Sequence, residues 1–282
     1  MVVLPPAVSV KSAVAITAMA LTIGACGGKD VSDAAASTAV VTYGTGPSQF
    51  GELAIPDEPG KLPVVVLVHG GFWKTIFDLD LMRPLAGDLN ERGYATWNIE
   101  YRRVGEVGGG YPNTLLDVAL AIDHLATLDE RDRLDLNRVA VVGHSAGGHL
   151  ALWVAARDTV PPGRPGANPT VIPKLAVGQA AVVDLAEAAD ARLGGGAVQA
   201  LLGGELAAVP ERYAAAQPDL AGTAARIVLI HGELDNIVPL EQSLGASDSG
   251  AEVVVIPGAD HFDMIDPTHA AWAAVVRALE TL

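Results

Sequence analysis

The sequence predicts an α/β fold, with a mostly parallel sheet covered by helices on both faces. Short apolar runs rich in Val and Ile alternate with segments of helical periodicity, and this alternation is typical of βαβ units. The runs at 62–69 (LPVVVLVH) and 138–143 (RVAVVG) are almost continuously apolar, as expected of strands buried on both faces. At 282 residues, the chain is long enough for one domain of the common size of roughly 200–250 residues.

The elements follow one another in a regular order. Strands are predicted at 62–69, 95–101, 138–143, 174–184, 226–231 and 252–257, and helices at 78–92, 112–128, 146–157 and 268–282. Gly93 after the first helix and Pro112 in the first turn of the second favour helix boundaries at these points. Segment 185–220 is interpreted as less regular, and it is a candidate lid or pocket wall.

The N-terminal region carries the pattern of an export signal. Lys11 precedes an apolar run at 13–23, which is shorter than the roughly 20 residues of a membrane-spanning helix. The letters LTIGAC at 21–26 are similar to a bacterial lipobox, whose cysteine is acylated; an ordinary cleaved signal with an incidental Cys26 is the alternative. We therefore predict a signal peptide at 1–26, a flexible tether at 27–47, a folded domain at 48–282, and membrane contact only through a lipid on Cys26.

Composition excludes several kinds of partner and site. The 18 basic and 33 acidic residues give a formal net charge of −15, which disfavours binding to phosphate backbones. A single cysteine excludes an internal disulfide and a multi-cysteine metal site. No His or carboxylate cluster has metal-ligand spacing. We expect no metal, no cofactor and no nucleic acid partner, and the oligomeric state stays open.

The pentapeptide GHSAG at 143–147 lies between a predicted strand and a predicted helix. In that context the G-x-S-x-G pattern is typical of a sharp turn that exposes a nucleophilic serine, and its glycines let strand and helix approach closely. The amide of Ala146 and the helix dipole are suited to stabilise a developing oxyanion. Ser145 is the predicted nucleophile, and a plain glycine-rich turn is the alternative.

A second glycine turn, HGGFW at 69–73, follows the first buried strand. Its position matches the oxyanion loop that reads HGGG in esterases and lipases. We expect the amides of Gly71 and Phe72 to donate alongside Ala146, since each such donor stabilises the transition state by about 3–4 kcal/mol. Trp73 is predicted to line the acyl pocket, with simple core packing as the alternative. His69 is expected to brace its own loop.

A serine nucleophile needs a histidine base held by an acid. His261 follows the strand predicted at 252–257, late in the chain, where a loop has the reach to approach Ser145. Asp235 follows the strand predicted at 226–231, and the order Ser145, Asp235, His261 is the one used by G-x-S-x-G hydrolases. Glu233 and Asp184 are the competing acids.

These motifs together resemble the α/β-hydrolase superfamily. The stretches that carry the resemblance are HGGFW, GHSAGGHLA, LLGG at 201–204, PERY at 210–213, GELDNIVP at 232–239 and GADHF at 258–262. Within that superfamily they are similar to kynurenine formamidase-like proteins and to the feruloyl/acetyl xylan esterase-like (BD-FAE) group. The resemblance implies a small ester or formamide substrate and no cofactor.

The sequence thus predicts acyl transfer to water through an acyl-enzyme on Ser145. Carboxylic esters are the first substrate class, formamides the second and peptides, through exopeptidase action, the third. A binding protein that keeps the fold without the chemistry is the alternative of another class, but the presence of all three triad candidates argues against it. The export signal favours a location outside the cytoplasm.

Overall fold

The computed structural model describes residues 38–282, which build one eight-stranded sheet. The strands are β1 Thr38–Thr42, β2 Phe50–Ala54, β3 Leu62–Val68, β4 Ala95–Ile99, β5 Leu134–His144, β6 Leu175–Gln179, β7 Arg226–Gly232 and β8 Glu252–Ile256. Their order across the sheet is β1-β2-β4-β3-β5-β6-β7-β8. The pairings of β1 with β2 and of β2 with β4 are antiparallel, and all pairings from β4 to β8 are parallel.

Helices connect the parallel strands. They are α1 Arg83–Glu91, α2 Asn113–His124, α3 Ala146–Ala155, α4 Leu185–Asp190, α5 Leu193–Leu202, α6 Pro210–Ala216, α7 Glu241–Leu244 and α8 Ala270–Leu279. Among residues 38–282, no helix combines the length and hydropathy needed to cross a bilayer.

Successive side chains of β3 point to opposite faces of the sheet, so they belong to two separate apolar clusters. Val64, Val66 and Val68 join one apolar cluster, together with residues of α2 and α3. Val65 and Leu67 join the other, together with residues of α1 and α8. Every residue from Val64 to Val68 is fully buried, and burial of each such side chain stabilises the fold by about 1.5–3 kcal/mol. The predicted α/β class, with helices on both faces, is confirmed.

Two expectations about local structure are wrong. The predicted tether at 27–47 overlaps Thr38–Thr42, which pairs with β2 as the first strand of the sheet. Segment 185–220 is more helical than expected, because it contains α4, α5 and α6, although the start of α5 has left-handed residues. The helix predicted at 78–92 is present, with a 3₁₀ turn at Leu79–Met82 followed by α1, which has Pro84 in its first turn. Cys26, the signal peptide and the first part of the tether lie outside the described residues.

The parallel strands bring distant parts of the sequence to one edge of the sheet. The carboxyl ends of β3, β5, β7 and β8 all lie there, since these strands run in the same direction. The loops that follow them carry the glycine turn at 69–73, Ser145, Asp235 and His261. In open α/β sheets ligands bind outside this edge.

Candidate active site

Ser145 occupies a strained turn between β5 and α3. Its backbone has φ 57° and ψ −120°, a conformation that costs a non-glycine residue about 1–3 kcal/mol. A Cβ at Gly143 would overlap the backbone of Gly147, and a Cβ at Gly147 would overlap the carbonyl oxygens of Val68 and His69. Both flanking positions therefore require glycine, because the strand and helix approach too closely for any side chain.

Backbone hydrogen bonds hold this turn in place. The amide of Ser145 donates to the carbonyl of Gln179 at 2.8 Å, and the amide of Val182 donates to the carbonyl of Ser145 at 3.3 Å. All ten residues of α3 are buried, so the helix cannot shift without opening the core. Ala146 is its first residue, and its position at the helix N-terminus suits it to stabilise negative charge beside Ser145.

The glycine turn at 69–73 packs directly against the serine turn. A Cβ at Gly70 would lie 3.0 Å from the Cβ of Ser145 and 2.9 Å from the carbonyl oxygen of His144. Gly71, Phe72 and Trp73 all have positive φ, at 116°, 54° and 55°. Three successive residues with positive φ turn the chain back across the end of β3. Gly71 and Phe72 consequently line the same cavity as Ser145.

His69 and Glu100 brace this turn from beneath. The buried imidazole of His69 lies with Nε2 2.9 Å from Oε1 of Glu100, and its ring stacks on Tyr101 with centroids 4.5 Å apart. The Tyr101 hydroxyl donates to the carbonyl of His69 at 2.8 Å. The bracing role expected of His69 is thus visible in its contacts. Glu100, just after β4, has no motif around it, and only its position after a buried strand hints at this role.

Asp235 and His261 are joined by a short hydrogen bond. Nδ1 of His261 lies 2.7 Å from Oδ2 of Asp235, whose side chain is fully buried. His231 Nε2 lies 3.3 Å from the same oxygen. The competing acids have other tasks: Asp184 caps α4 by accepting from the amide of Glu187, and Glu233 accepts from the amide of Gly258.

The Asp235 carboxylate is stabilised in its charged form. Burial alone would raise its pKa, but hydrogen bonds from His231 and His261 outweigh burial and hold the pKa well below the usual range of an aspartate. The amides of Ile237 and Val238 add further bonds to its other oxygen, Oδ1, at 2.8 and 2.9 Å. The charged carboxylate orients the His261 ring and favours a proton on its Nδ1.

His144 connects the turn at Ser145 to the loop after β8 that carries His261. Its Nε2 donates to the carbonyl oxygen of His261 at 3.0 Å, and the two rings lie with centroids 4.5 Å apart. Burial, reinforced by the nearby His261, lowers the pKa of His144 to about 3. The ring is therefore neutral near pH 7, and it serves as a fixed hydrogen-bond donor to the loop that carries His261.

These groups meet around a cavity of about 110 Å³. Ser145, His261, Gly71 and Phe72 line it together with His144, and the remaining walls are the apolar side chains of Phe77, Leu81, Ile237 and Phe262. Phe77 and Leu81 lie outside the motifs, whereas Ile237 and Phe262 lie within the stretches GELDNIVP and GADHF. Among residues 38–282, no group of three His, Cys, Asp or Glu residues is arranged to hold a metal ion.

Trp73 does not fulfil the prediction made for it as a pocket wall. Its side chain is fully buried, packs edge-on against His149 with centroids 5.4 Å apart, and is absent from the cavity lining. The indole belongs to the apolar core, so the packing alternative holds.

Curated relatives and solved structures are similar to this chain over most of the described domain. It is 27% identical to the probable carboxylic ester hydrolase LipM of Mycobacterium tuberculosis over 237 residues, which cover 78% of this chain and 54% of the relative. It is 26% identical to esterase LipC of the same organism over 262 residues, which cover 85% of this chain and 63% of the relative. The chain thus spans between half and two thirds of the length of these relatives.

Solved structures agree on the fold. A truncated carbohydrate esterase from gut microbiota superposes with a TM-score of 0.73 at 18% identity, covering 89% of this chain and 98% of that one. Esterase B from Lactobacillus rhamnosis superposes with a TM-score of 0.71 at 20% identity, covering 88% and 85%. Both support an α/β-hydrolase fold. The model of the BD-FAE family matches residues 53–248, more than half of the sequence. This chain belongs to the BD-FAE family of α/β hydrolases.

Proposed function

We propose that this protein is a serine hydrolase that cleaves carboxylic esters with small acyl groups through an acyl-enzyme on Ser145. One observation carries the proposal: Ser145 and His261 line one cavity with the turn of Gly71 and Phe72, and His261 is hydrogen-bonded to the buried Asp235 at 2.7 Å. The names of the two curated relatives, an ester hydrolase and an esterase, support esters over formamides.

The proposed reaction has two halves. With Nδ1 of His261 engaged by Asp235, Nε2 is the ring nitrogen available to take the Ser145 hydroxyl proton as the oxygen attacks the ester carbonyl. The oxyanion accepts hydrogen bonds from the amides of Gly71, Phe72 and Ala146, and the alcohol leaves with the proton from His261. Water then adds to the acyl-enzyme by the same route and releases the carboxylic acid.

The size of the cavity supports small acyl groups. Its volume of about 110 Å³ lies below the roughly 300–1,000 Å³ of sites that enclose drug-sized ligands. The walls of Phe77, Leu81, Ile237 and Phe262 favour an apolar acyl group. A long acyl chain would have to extend past these walls into solvent.

A substrate series tests the proposal. We expect kcat/KM for p-nitrophenyl acetate to exceed that for p-nitrophenyl octanoate by about 10-fold or more, because octanoate cannot be enclosed, and N-formylkynurenine to be turned over more slowly than acetate esters. Ser145→Ala should lower kcat on the order of 10⁴-fold or more with the thermal midpoint nearly unchanged. The exposed Ser247 supplies the control, since Ser247→Ala should retain full activity. Equal activity of the Ser145→Ala variant would refute the proposal.

We also propose export and acylation at Cys26, supported by the sequence pattern at 13–26. In an expressing bacterium, the full chain should incorporate radiolabelled palmitate and sediment with membranes. The Cys26→Ser variant should do neither. Equal labelling of both forms would contradict the proposal.

A further inference from the structure

The start of α5 has an unusual backbone. Gly194, Gly195 and Gly196 are all left-handed, with φ of 58°, 70° and 88°, and Arg192 shortly before them also has a positive φ of 51°. This run lies in segment 185–220, far in sequence from every residue assigned to the reaction. Only one of the three glycines touches the candidate active site.

Gly194 lies directly against the phenyl ring of Phe72. A Cβ at Gly194 would lie 2.5, 2.6 and 2.8 Å from three ring carbons of Phe72, whereas a Cβ at Gly195 would meet nothing within 4 Å. The carbonyl of Gly194 also accepts a hydrogen bond from Nζ of Lys74 at 3.1 Å. The backbone of Gly194 therefore contacts two residues of the turn at 69–74 that crosses the end of β3.

That turn needs outside support. Phe72 has φ 54°, a conformation that costs a phenylalanine about 1–3 kcal/mol, so the turn persists only where surrounding contacts hold it. Phe72 also lines the cavity that contains Ser145. A ring displaced from Gly194 must either rotate about χ1, which changes its place in that cavity, or shift the strained backbone that carries the Phe72 amide.

We propose that Gly194 is a positioning residue for the oxyanion loop: its bare backbone and its carbonyl, bound by Lys74, fix Phe72 so that its amide faces the reacting carbonyl. Segment 185–220 then acts as a fixed support of the site. The inference rests on the proposed ester hydrolysis. It adds a residue that affects the rate by positioning the oxyanion loop, and the motifs of the triad do not reveal that residue.

The two neighbouring glycines supply a matched test. Gly194→Ala and Gly195→Ala both place an alanine at a left-handed position, so both should lower the thermal midpoint, but only Gly194→Ala displaces Phe72. We expect Gly194→Ala to lower kcat for p-nitrophenyl acetate by about 10- to 100-fold, less than the roughly 10²–10³-fold loss of a whole oxyanion donor, with KM changed less than about 3-fold. Gly195→Ala should keep kcat within about 2-fold of the wild type.

A second variant and a double-mutant cycle protect the test against simple misfolding. Lys74→Met leaves the glycine backbone untouched and should lower kcat by about 3- to 10-fold. In a Phe72→Ala background, where no ring is present to displace, Gly194→Ala should lower kcat no further. A wild type without esterase activity would refute the proposed function and this inference together. An active wild type whose kcat is unaffected by Gly194→Ala, or affected equally by Gly195→Ala, would refute this inference alone.

Discussion

Asp235 uses its two carboxylate oxygens for two different tasks. Oδ1 accepts from the amides of Ile237 and Val238 and so shapes the loop after β7. Oδ2 accepts from His261 and so orients the ring that we propose as the base. A single residue thereby fixes both the loop and the ring, whereas Glu233, two residues earlier, is exposed and accepts from the amide of Gly258 instead.

Asp235→Asn separates these tasks. The asparagine carbonyl oxygen can keep the bonds to the loop amides. Its NH₂ group, however, would face Nδ1 of His261 and force the ring proton onto Nε2, and a protonated Nε2 cannot accept the proton of the serine hydroxyl. We expect kcat to fall by about 10³- to 10⁴-fold, with an unfolding midpoint close to the wild-type value. Asp260→Asn, at an exposed neighbour of His261, is the control. Ester turnover within 10-fold of the wild type would exclude Asp235 as the orienting acid.

His144 is expected to act through His261. In His144→Phe the ring remains but the bond from Nε2 to the His261 carbonyl is lost, so the loop of the base gains freedom. We expect kcat to fall by about 10-fold. Because the pKa of His144 is lowered to about 3, the pH profile of kcat/KM between about pH 5 and pH 9 should keep its shape. A shifted profile would instead identify His144 as a titrating member of the site.

At the level of elements, the loops after β3 and β4 are tied together by one buried carboxylate. Glu100 Oε1 accepts from the amide of Tyr101 at 2.9 Å as well as from His69 Nε2 at 2.9 Å, and Oε2 accepts from the amide of Leu79 at 3.3 Å. Arg103 lies 3.4 Å from Oε1. The glycine turn that carries Phe72 therefore rests on a charged group at the end of the neighbouring strand.

Removal of that carboxylate should be costly. Glu100→Ala would leave the amides of Tyr101 and Leu79 and the ring of His69 without their acceptor, and we expect the free energy of unfolding to fall by about 3–5 kcal/mol. Glu100→Gln keeps one acceptor oxygen and should lose less. Urea denaturation of the wild type and both variants measures these losses. A midpoint of Glu100→Ala equal to that of the wild type would show that the Glu100 carboxylate does not stabilise the loops after β3 and β4.

Short elements are also where the sequence is least informative. Sharp local requirements make the turn at Ser145 predictable, since glycine is needed at Gly143 and Gly147. The ends of two predicted strands point to Asp235 and His261. Strands β1 and β2 lack a clear signal, because β1 is exposed and lies among small polar residues. The helices of 185–220 are short and rich in Ala and Gly, so their periodicity is weak. The walls of the cavity depend on how separate segments of the chain meet, which no local pattern encodes.

At the level of the whole molecule, buried neutral histidines couple folding to pH. Burial lowers the pKa of His144 to about 3 and that of His149 to about 4. In the unfolded chain both would titrate near 6.5, so between about pH 6.5 and pH 4 the unfolded state binds more protons than the folded state. Stability must therefore fall as the pH falls through this window.

As the pH falls from about 7.5 to about 5, we expect proton uptake by each of these histidines in the unfolded chain to lower the free energy of unfolding by about 2 kcal/mol. His149→Gln keeps a donor for the carbonyl of Ala216, which His149 contacts at 2.9 Å, but removes the titrating ring. Urea denaturation at the two pH values should show a smaller loss for this variant than for the wild type. The low pKa of Asp235 contributes only below about pH 4, outside this window. An unchanged pH dependence would exclude protonation of His149 as a source of the loss.

The central claim is that Ser145 is the nucleophile of an esterase, and covalent labelling tests it most directly. The purified protein is treated with a fluorophosphonate while p-nitrophenyl acetate turnover is followed, and the adduct is mapped by peptide mass spectrometry. We expect one adduct per chain, on Ser145, with activity lost in proportion to labelling. Complete loss of activity with the adduct on another residue, or undiminished turnover by protein fully modified at Ser145, would contradict the claim.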